Sequence, residues 1–223
     1  MNIKKIILFT VLIGAIFLAG VFAIIPLALW GKGEKGDQNG NSGAMGTVSD
    51  EVPVPLAKVF NEVGDSLGVP PALLAAFSSV ECGKLWSAPT DSLTNWIQTN
   101  GNPEEKGCCF NNGWNCWGPA QFLYSTWGLA RPGDAPSGTP TSGTYGDKAA
   151  KYVSAPPFMC NVKEAVYAMA LKIKNDSRGA TAWSDEDIKR SAQSYCGSCD
   201  HPKACPNYCN NIIDRYHKYS SKL

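Results

Sequence analysis

Three scarcities narrow the reading of this sequence before any motif is considered. Long basic runs are missing, and 20 lysines and arginines against 19 aspartates and glutamates leave a formal net charge of +1. No electrostatic footprint therefore argues for a nucleic-acid partner. Histidine occurs only twice, at His201 and His217. Neither sits in a nucleophile or metalloprotease pattern, so each reads as a surface or packing residue, and no metal or cofactor is expected. Strict apolar/polar alternation, the mark of half-buried strands, is found almost nowhere, which leaves a mainly α fold. With 223 residues and 44% hydrophobic content, there is room for one anchor and one compact domain but not for two globular domains.

Cysteine and long apolar stretches are, by contrast, plentiful. Ile6 to Trp30 form an apolar run of 25 residues behind Lys4 and Lys5. At about 1.5 Å per residue, a helix of that length crosses the ~30 Å hydrocarbon layer. A cleaved signal peptide is the competing reading, but the run is long for one and ends in Pro26-Leu27-Ala28-Leu29-Trp30, without a small-x-small cleavage site. Residues 1–30 are therefore expected to be a transmembrane anchor. Nine cysteines are far more than a reduced cytosolic enzyme carries. The expectation is a single-pass protein of the cell membrane whose C-terminal domain is extracytoplasmic. Between the two, residues 31–51 contain six glycines from Gly31 to Gly46. Such a segment cannot bury enough apolar surface to order itself and reads as a flexible tether with a reach of roughly 25 Å.

From residue 52 to 223, helical periodicity recurs. Leu56, Val59, Phe60, Val63 and Leu67 make one apolar stripe, ended by Gly68. A second helix starts at Pro70-Pro71, buries Leu73, Ala76, Phe77 and Val80, and is placed to stop at Gly83. A third is expected from Gly118-Pro119 through Phe122, Leu123 and Trp127. A fourth follows Asn161 and Glu164 at capping-box spacing and buries Val162, Ala165, Val166, Met169 and Ile173. Ser184 caps a fifth toward Tyr195, and a last helix near Pro206 packs Ile212, Ile213, Tyr216 and Tyr219. Trp86–Trp117 and Ala130–Pro157 read as long loops, and loops of that length are usually functional or mobile.

Glu81 falls in the last turn of the second helix, four residues after Phe77 and eight after Leu73, at the edge of the apolar stripe. Desolvation and the negative end of the helix dipole both raise a carboxyl pKa there, the condition for holding a proton near neutral pH and giving it to a glycosidic oxygen. A lone glutamate would still read as an exposed residue of an amphipathic helix, so the surrounding sequence decides. The string Val69-Pro70-Pro71-Ala72-Leu73-Leu74-Ala75-Ala76-Phe77-Ser78-Ser79-Val80-Glu81-Cys82-Gly83 resembles the catalytic helix of the lytic transglycosylase and goose-type lysozyme superfamily. Gly118-Pro119-Ala120-Gln121-Phe122 with Ser125-Thr126-Trp127 resembles its Gly-x-x-Gln segment. Asn161-Val162 leading into Ala165 and Ala168 resembles its scaffold helix, and Ala192-Gln193-Ser194-Tyr195-Cys196-Gly197 its Ala-x-x-Tyr-Asn-x-Gly segment. The four pieces occur in family order.

The resemblance implies a lysozyme-like helical domain that cleaves the β-1,4 bond between N-acetylmuramic acid and N-acetylglucosamine. The glycan strand of peptidoglycan would be its partner, and a secretion or conjugation apparatus a further one. Glu81 would be the catalytic acid and base, Gln121 would hydrogen-bond the sugar, and Tyr195 would hold the Glu81 carboxyl. Trp117 and Phe122 would join the sugar site, although core packing is the expectation for Phe122 and Trp127. Cys82 and Cys196 depart from the family's Ser and Asn. The loop carrying Cys108, Cys109 and Cys116 reads as an insertion stapled by a disulfide. The tail from Cys196 through Cys199, His201 and Cys205 to Cys209 has the ligand types of a zinc site, but disulfides are the preferred reading in an oxidising compartment. A hydrolytic muramidase, a non-catalytic glycan-gripping shell and an adhesion domain remain as alternatives. The topology is testable with fusions after Leu223: a reporter that works only in the periplasm should be active and a cytosolic one silent, and the reverse outcome would reverse both the orientation and the disulfide argument.

Overall fold

The computed structural model describes residues 49–98, 116–129, 139–153, 158–203 and 205–220. The chain divides into Met1–Ser42 and Gly43–Leu223, and all the described residues belong to the second unit. The expected anchor and nearly all of the expected tether lie outside the described residues. Among those described, no helix is long and apolar enough to cross a membrane.

Helix α1, Val54–Leu67, buries the expected stripe of Leu56, Val59, Phe60, Val63 and Leu67. It ends at Gly68, whose left-handed φ of 70° lets its N–H reach the Gly64 carbonyl at 2.8 Å. Gly64 leaves room for the start of the next helix, since a Cβ there would lie 2.6 Å from the Val69 carbonyl and 2.9 Å from Pro71 Cγ. Helix α2, Pro71–Glu81, starts with proline at its first turn, where no intrahelical N–H is needed. Every residue from Pro71 to Ser79 is buried, so α2 is enclosed on all faces and not on a stripe. It ends at Cys82, whose φ of −141° and ψ of 73° leave the helical region. Gly83, expected to stop α2, instead opens the single turn α3, Gly83–Trp86.

Two helices lie where loops were expected: α4, Thr90–Gln98, and, after the hairpin described next, α6, Tyr145–Ala150. The helix expected from Gly118 is not formed. A two-stranded antiparallel hairpin takes its place, β1 Cys116–Trp117 and β2 Phe122–Leu123, with Trp117 opposite Phe122. One helical turn, α5 Tyr124–Trp127, follows. The reason lies in the turn. Gly118 at φ 75° and Gln121 at φ 49° both occupy the left-handed region, which an α-helix cannot continue through.

Helix α7, Val162–Asp176, is capped as expected by the Asn161 side chain, which accepts from Glu164 N at 3.0 Å. The reciprocal half of the box goes elsewhere, because Glu164 Oε2 accepts from Phe158 N at 2.8 Å. Helix α8, Asp185–Cys196, carries a complete capping box between Ser184 and Asp187. Helix α9, Tyr208–Ser220, buries Ile212 and Tyr219. Helices α1, α7 and α9 all pack against α2, with α8 bridging α7 and α9.

The tail cysteines pair as Cys196–Cys205 and Cys199–Cys209, with Cα separations of 6.6 and 4.9 Å. Cys82 and Cys160 are also disulfide-bonded. Cys116 opens the hairpin at β1; Cys108 and Cys109, expected with it in a disulfide-stapled loop, lie outside the described residues. The protein is thus mainly helical with disulfide-linked segments. Peptide mapping without reductant is expected to recover the two tail links. The double replacement Cys199→Ser, Cys209→Ser should lower the unfolding free energy by about 2–3 kcal/mol, the loop-closure value for a bridge of sequence separation 10. An unchanged urea midpoint would show that the bridge does not stabilise the fold.

Candidate active site

The enclosure of α2 decides where its one carboxylate can go. Leu73, Leu74, Ala75, Ala76 and Phe77 are all fully buried, so the positions able to face a cavity lie at the helix end, where Val80 and Glu81 stand. Burial pushes the Glu81 carboxyl from 4.5 up to about 7, against the lowering effect of a hydrogen bond from Tyr208. The Tyr208 hydroxyl donates that bond to Glu81 Oε1. Its ring packs edge-on to Phe77, with centroids 6.4 Å apart, so the hydroxyl is aimed by the same core that encloses the helix.

Glu81 opens into a cavity of about 520 Å³ bordered by Val80, Cys116, Gln121, Phe122 and Leu123, and by Thr126, Lys172, Tyr195, the Cys196–Cys205 bridge, Tyr208 and Asn211. Glu81, Gln121, Phe122 and Tyr195 are thereby brought together from α2, the hairpin and α8. Trp117 pairs with Phe122 across the hairpin, but its side chain lies outside the described residues. Among the described residues, Glu81 is the one carboxylate that borders the cavity. Asp91, in the stretch that reads as a loop, sits in the first turn of α4; Glu104 and Glu105 lie outside the described residues.

The expected link between Tyr195 and Glu81 is replaced. The Tyr195 hydroxyl donates to the Ala120 carbonyl at 2.7 Å, inside the turn that presents Gln121. Its ring lies 5.2 Å from that of Phe77 and 5.8 Å from that of Phe122, and Lys172 Nζ sits 5.4 Å from its centroid. Tyr195 therefore buttresses the hairpin, while Tyr208, absent from every motif, holds the acid. Burial raises both phenols well above the usual tyrosine value, and the nearby Glu81 charge adds to each shift. The structure shows what places Tyr208. It lies between Cys205 and Cys209, which are bridged to either side of the turn after Tyr195, and its own N–H donates to the Cys199 carbonyl at 2.8 Å.

Gln121 is held in a left-handed conformation that disfavours side chains with a Cβ. Its N–H and its Nε2 both donate to the Gly118 carbonyl, at 3.0 and 2.9 Å, which fixes the amide plane. Gly118 cannot be replaced without strain, because a Cβ would run into the Met159 carbonyl. The Met159 segment is in turn pinned by Glu164, a buried carboxyl that burial also lifts from 4.5 to about 7. Such backbone strain concentrates at sites where a side chain must be presented.

No protein-family model, curated protein or solved structure matches the chain. The site therefore rests on its own geometry: one half-buried acid, a phenol that orients it, an amide fixed in plane and apolar walls.

A carboxyl whose folded pKa is raised binds its proton more tightly in the folded protein than in the unfolded chain. Its contribution is fully present below pH about 4.5 and is lost as the pH rises through about 7. Glu81→Gln retains the shape and an acceptor for Tyr208 without the charge. The variant should melt with wild type near pH 4 and above it at pH 8, by up to about 3 kcal/mol of stability. Glu164 acts with the same sign but is present in both proteins. Identical melting temperatures at pH 8 would mean that Glu81 is not desolvated.

Proposed function

We propose that residues 52–223 form a glycan-cleaving enzyme of the lysozyme-like kind that works with a single acid. More specifically, it is a lytic transglycosylase acting on the β-1,4 bond between N-acetylmuramic acid and N-acetylglucosamine in peptidoglycan. It is tethered to the outer face of the cell membrane by Ile6–Trp30, where it opens the wall for general remodelling or for a secretion or conjugation apparatus. The observation that carries the reading is Glu81: a carboxyl raised to about 7, clamped by Tyr208, beside the planar Gln121 amide. The four family-like segments support it, since three of them, carrying Glu81, Gln121 and Tyr195, meet at one cavity.

Protonated Glu81 gives its proton to the bridging oxygen as the bond to the muramic anomeric carbon breaks. The carboxylate then takes the proton of the same sugar's C6 hydroxyl, whose oxygen attacks that carbon and closes a 1,6-anhydro ring. Because this nucleophile is already tethered, no water has to be positioned, and a site bordered by one carboxylate suffices. Ordinary glycosidases need two. Val80, Phe122 and Leu123 offer apolar faces to the sugar rings.

Residues 52–223, incubated with purified peptidoglycan, should release muropeptides with 1,6-anhydromuramyl ends. Glu81→Gln should reduce the rate by at least ~10²-fold, with smaller losses for Gln121→Ala. Reducing muramic ends would mark a hydrolase, and a Glu81→Gln protein as fast as wild type would remove the catalytic assignment. A folded domain that binds the glycan without releasing anything would be a gripping shell.

A further inference from the structure

The proposed substrate is a strand of sugars bearing 2-acetamido groups, each of which presents one N–H donor and one C=O acceptor. A side-chain amide is the uncharged group that complements both in one plane. Several polar groups bordering the cavity are committed elsewhere. The Tyr208 hydroxyl is on Glu81, that of Tyr195 is on the Ala120 carbonyl, Lys172 Nζ is 2.7 Å from Asp176, and the sulfurs of Cys196 and Cys205 are joined. Gln121 is locked to Gly118.

Asn211 differs from these. It borders the same cavity from α9, one turn beyond Tyr208 and therefore on the same helix face, and it is half-buried. Its Nδ2 lies 3.4 Å from the Pro206 carbonyl, too far to hold the amide firmly, so turning it toward a ligand sacrifices little. We propose that Asn211 is a specificity-determining residue that hydrogen-bonds the 2-acetamido group of the sugar lying against Glu81. It would thereby give the enzyme a preference for N-acetylated over de-N-acetylated glycan. The assignment rests on the glycan-cleaving function proposed above.

The experiment compares kcat/KM on intact peptidoglycan and on the same wall after de-N-acetylation, for the wild-type domain and for Asn211→Ala and Asn211→Gln. Loss of one amide contact should shrink the wild-type preference about tenfold in Asn211→Ala, chiefly through KM. Asn211→Gln should restore part of it. The pH profile should not move, because the Tyr208 contact with Glu81 is untouched. An unchanged preference in Asn211→Ala overturns the assignment. So does a loss accompanied by a shifted pH profile or by no recovery in Asn211→Gln, since either would mark a displaced α9. A wild-type domain that cleaves neither wall overturns the proposed function itself, and this assignment with it.

Discussion

Enclosure of α2 is the constraint from which the site follows. A helix buried around its whole circumference has to be covered by neighbours on every side, and here α1, α7 and α9 pack against it. Such a helix has no lateral position for a charge, so its carboxylate sits at the terminus, where burial is deep enough to favour the neutral acid and the carboxyl still meets a cavity. The same packing supplies the acid's partner. Tyr208 belongs to the helix that covers α2, and its ring rests on Phe77 of α2. Core and candidate site are therefore one construction, and a substitution that shifts α9 against α2 alters the surroundings of Glu81 without touching it.

A second layer is built from backbone held where it does not relax. Gly118 and Gln121 take left-handed conformations in consecutive corners of the hairpin turn. Tyr195 grips the turn through the Ala120 carbonyl and Met159 closes over Gly118. A free tetrapeptide would not adopt this geometry. It persists because α8 and the segment before α7 over-determine it, and the result is an amide whose plane is set before any ligand arrives.

Much of this frame was legible in the residues. The α1 stripe, the Asn161 and Ser184 caps and the apolar face of α7 are local signals, and they decided the structure because nothing non-local opposed them. Three features were not legible, each for a physical reason. The span Gly118–Trp127 reads as a helix by its apolar residues, but Phe122 and Leu123 face opposite sides of a two-residue strand, one buried and one exposed. Helices α4 and α6 lie among glycine, proline, serine and threonine, and their order comes from packing on α1 and α7, which propensity does not register. Tyr208 was missed because its role depends on where two disulfides put it, and cysteine spacing does not reveal connectivity. Tyr195 had the expected residue type at the expected place, yet its hydroxyl was needed for the turn.

The contact between Tyr208 and Glu81 spans 127 residues of chain, which also orders events in time. During synthesis, α2 and its glutamate emerge long before α9. Until α9 has packed on α2 and brought the Tyr208 ring against Phe77, nothing holds the phenol at the carboxyl. The acid is made early and armed last, so a nascent or clipped chain that stops short of residue 208 carries Glu81 without its clamp.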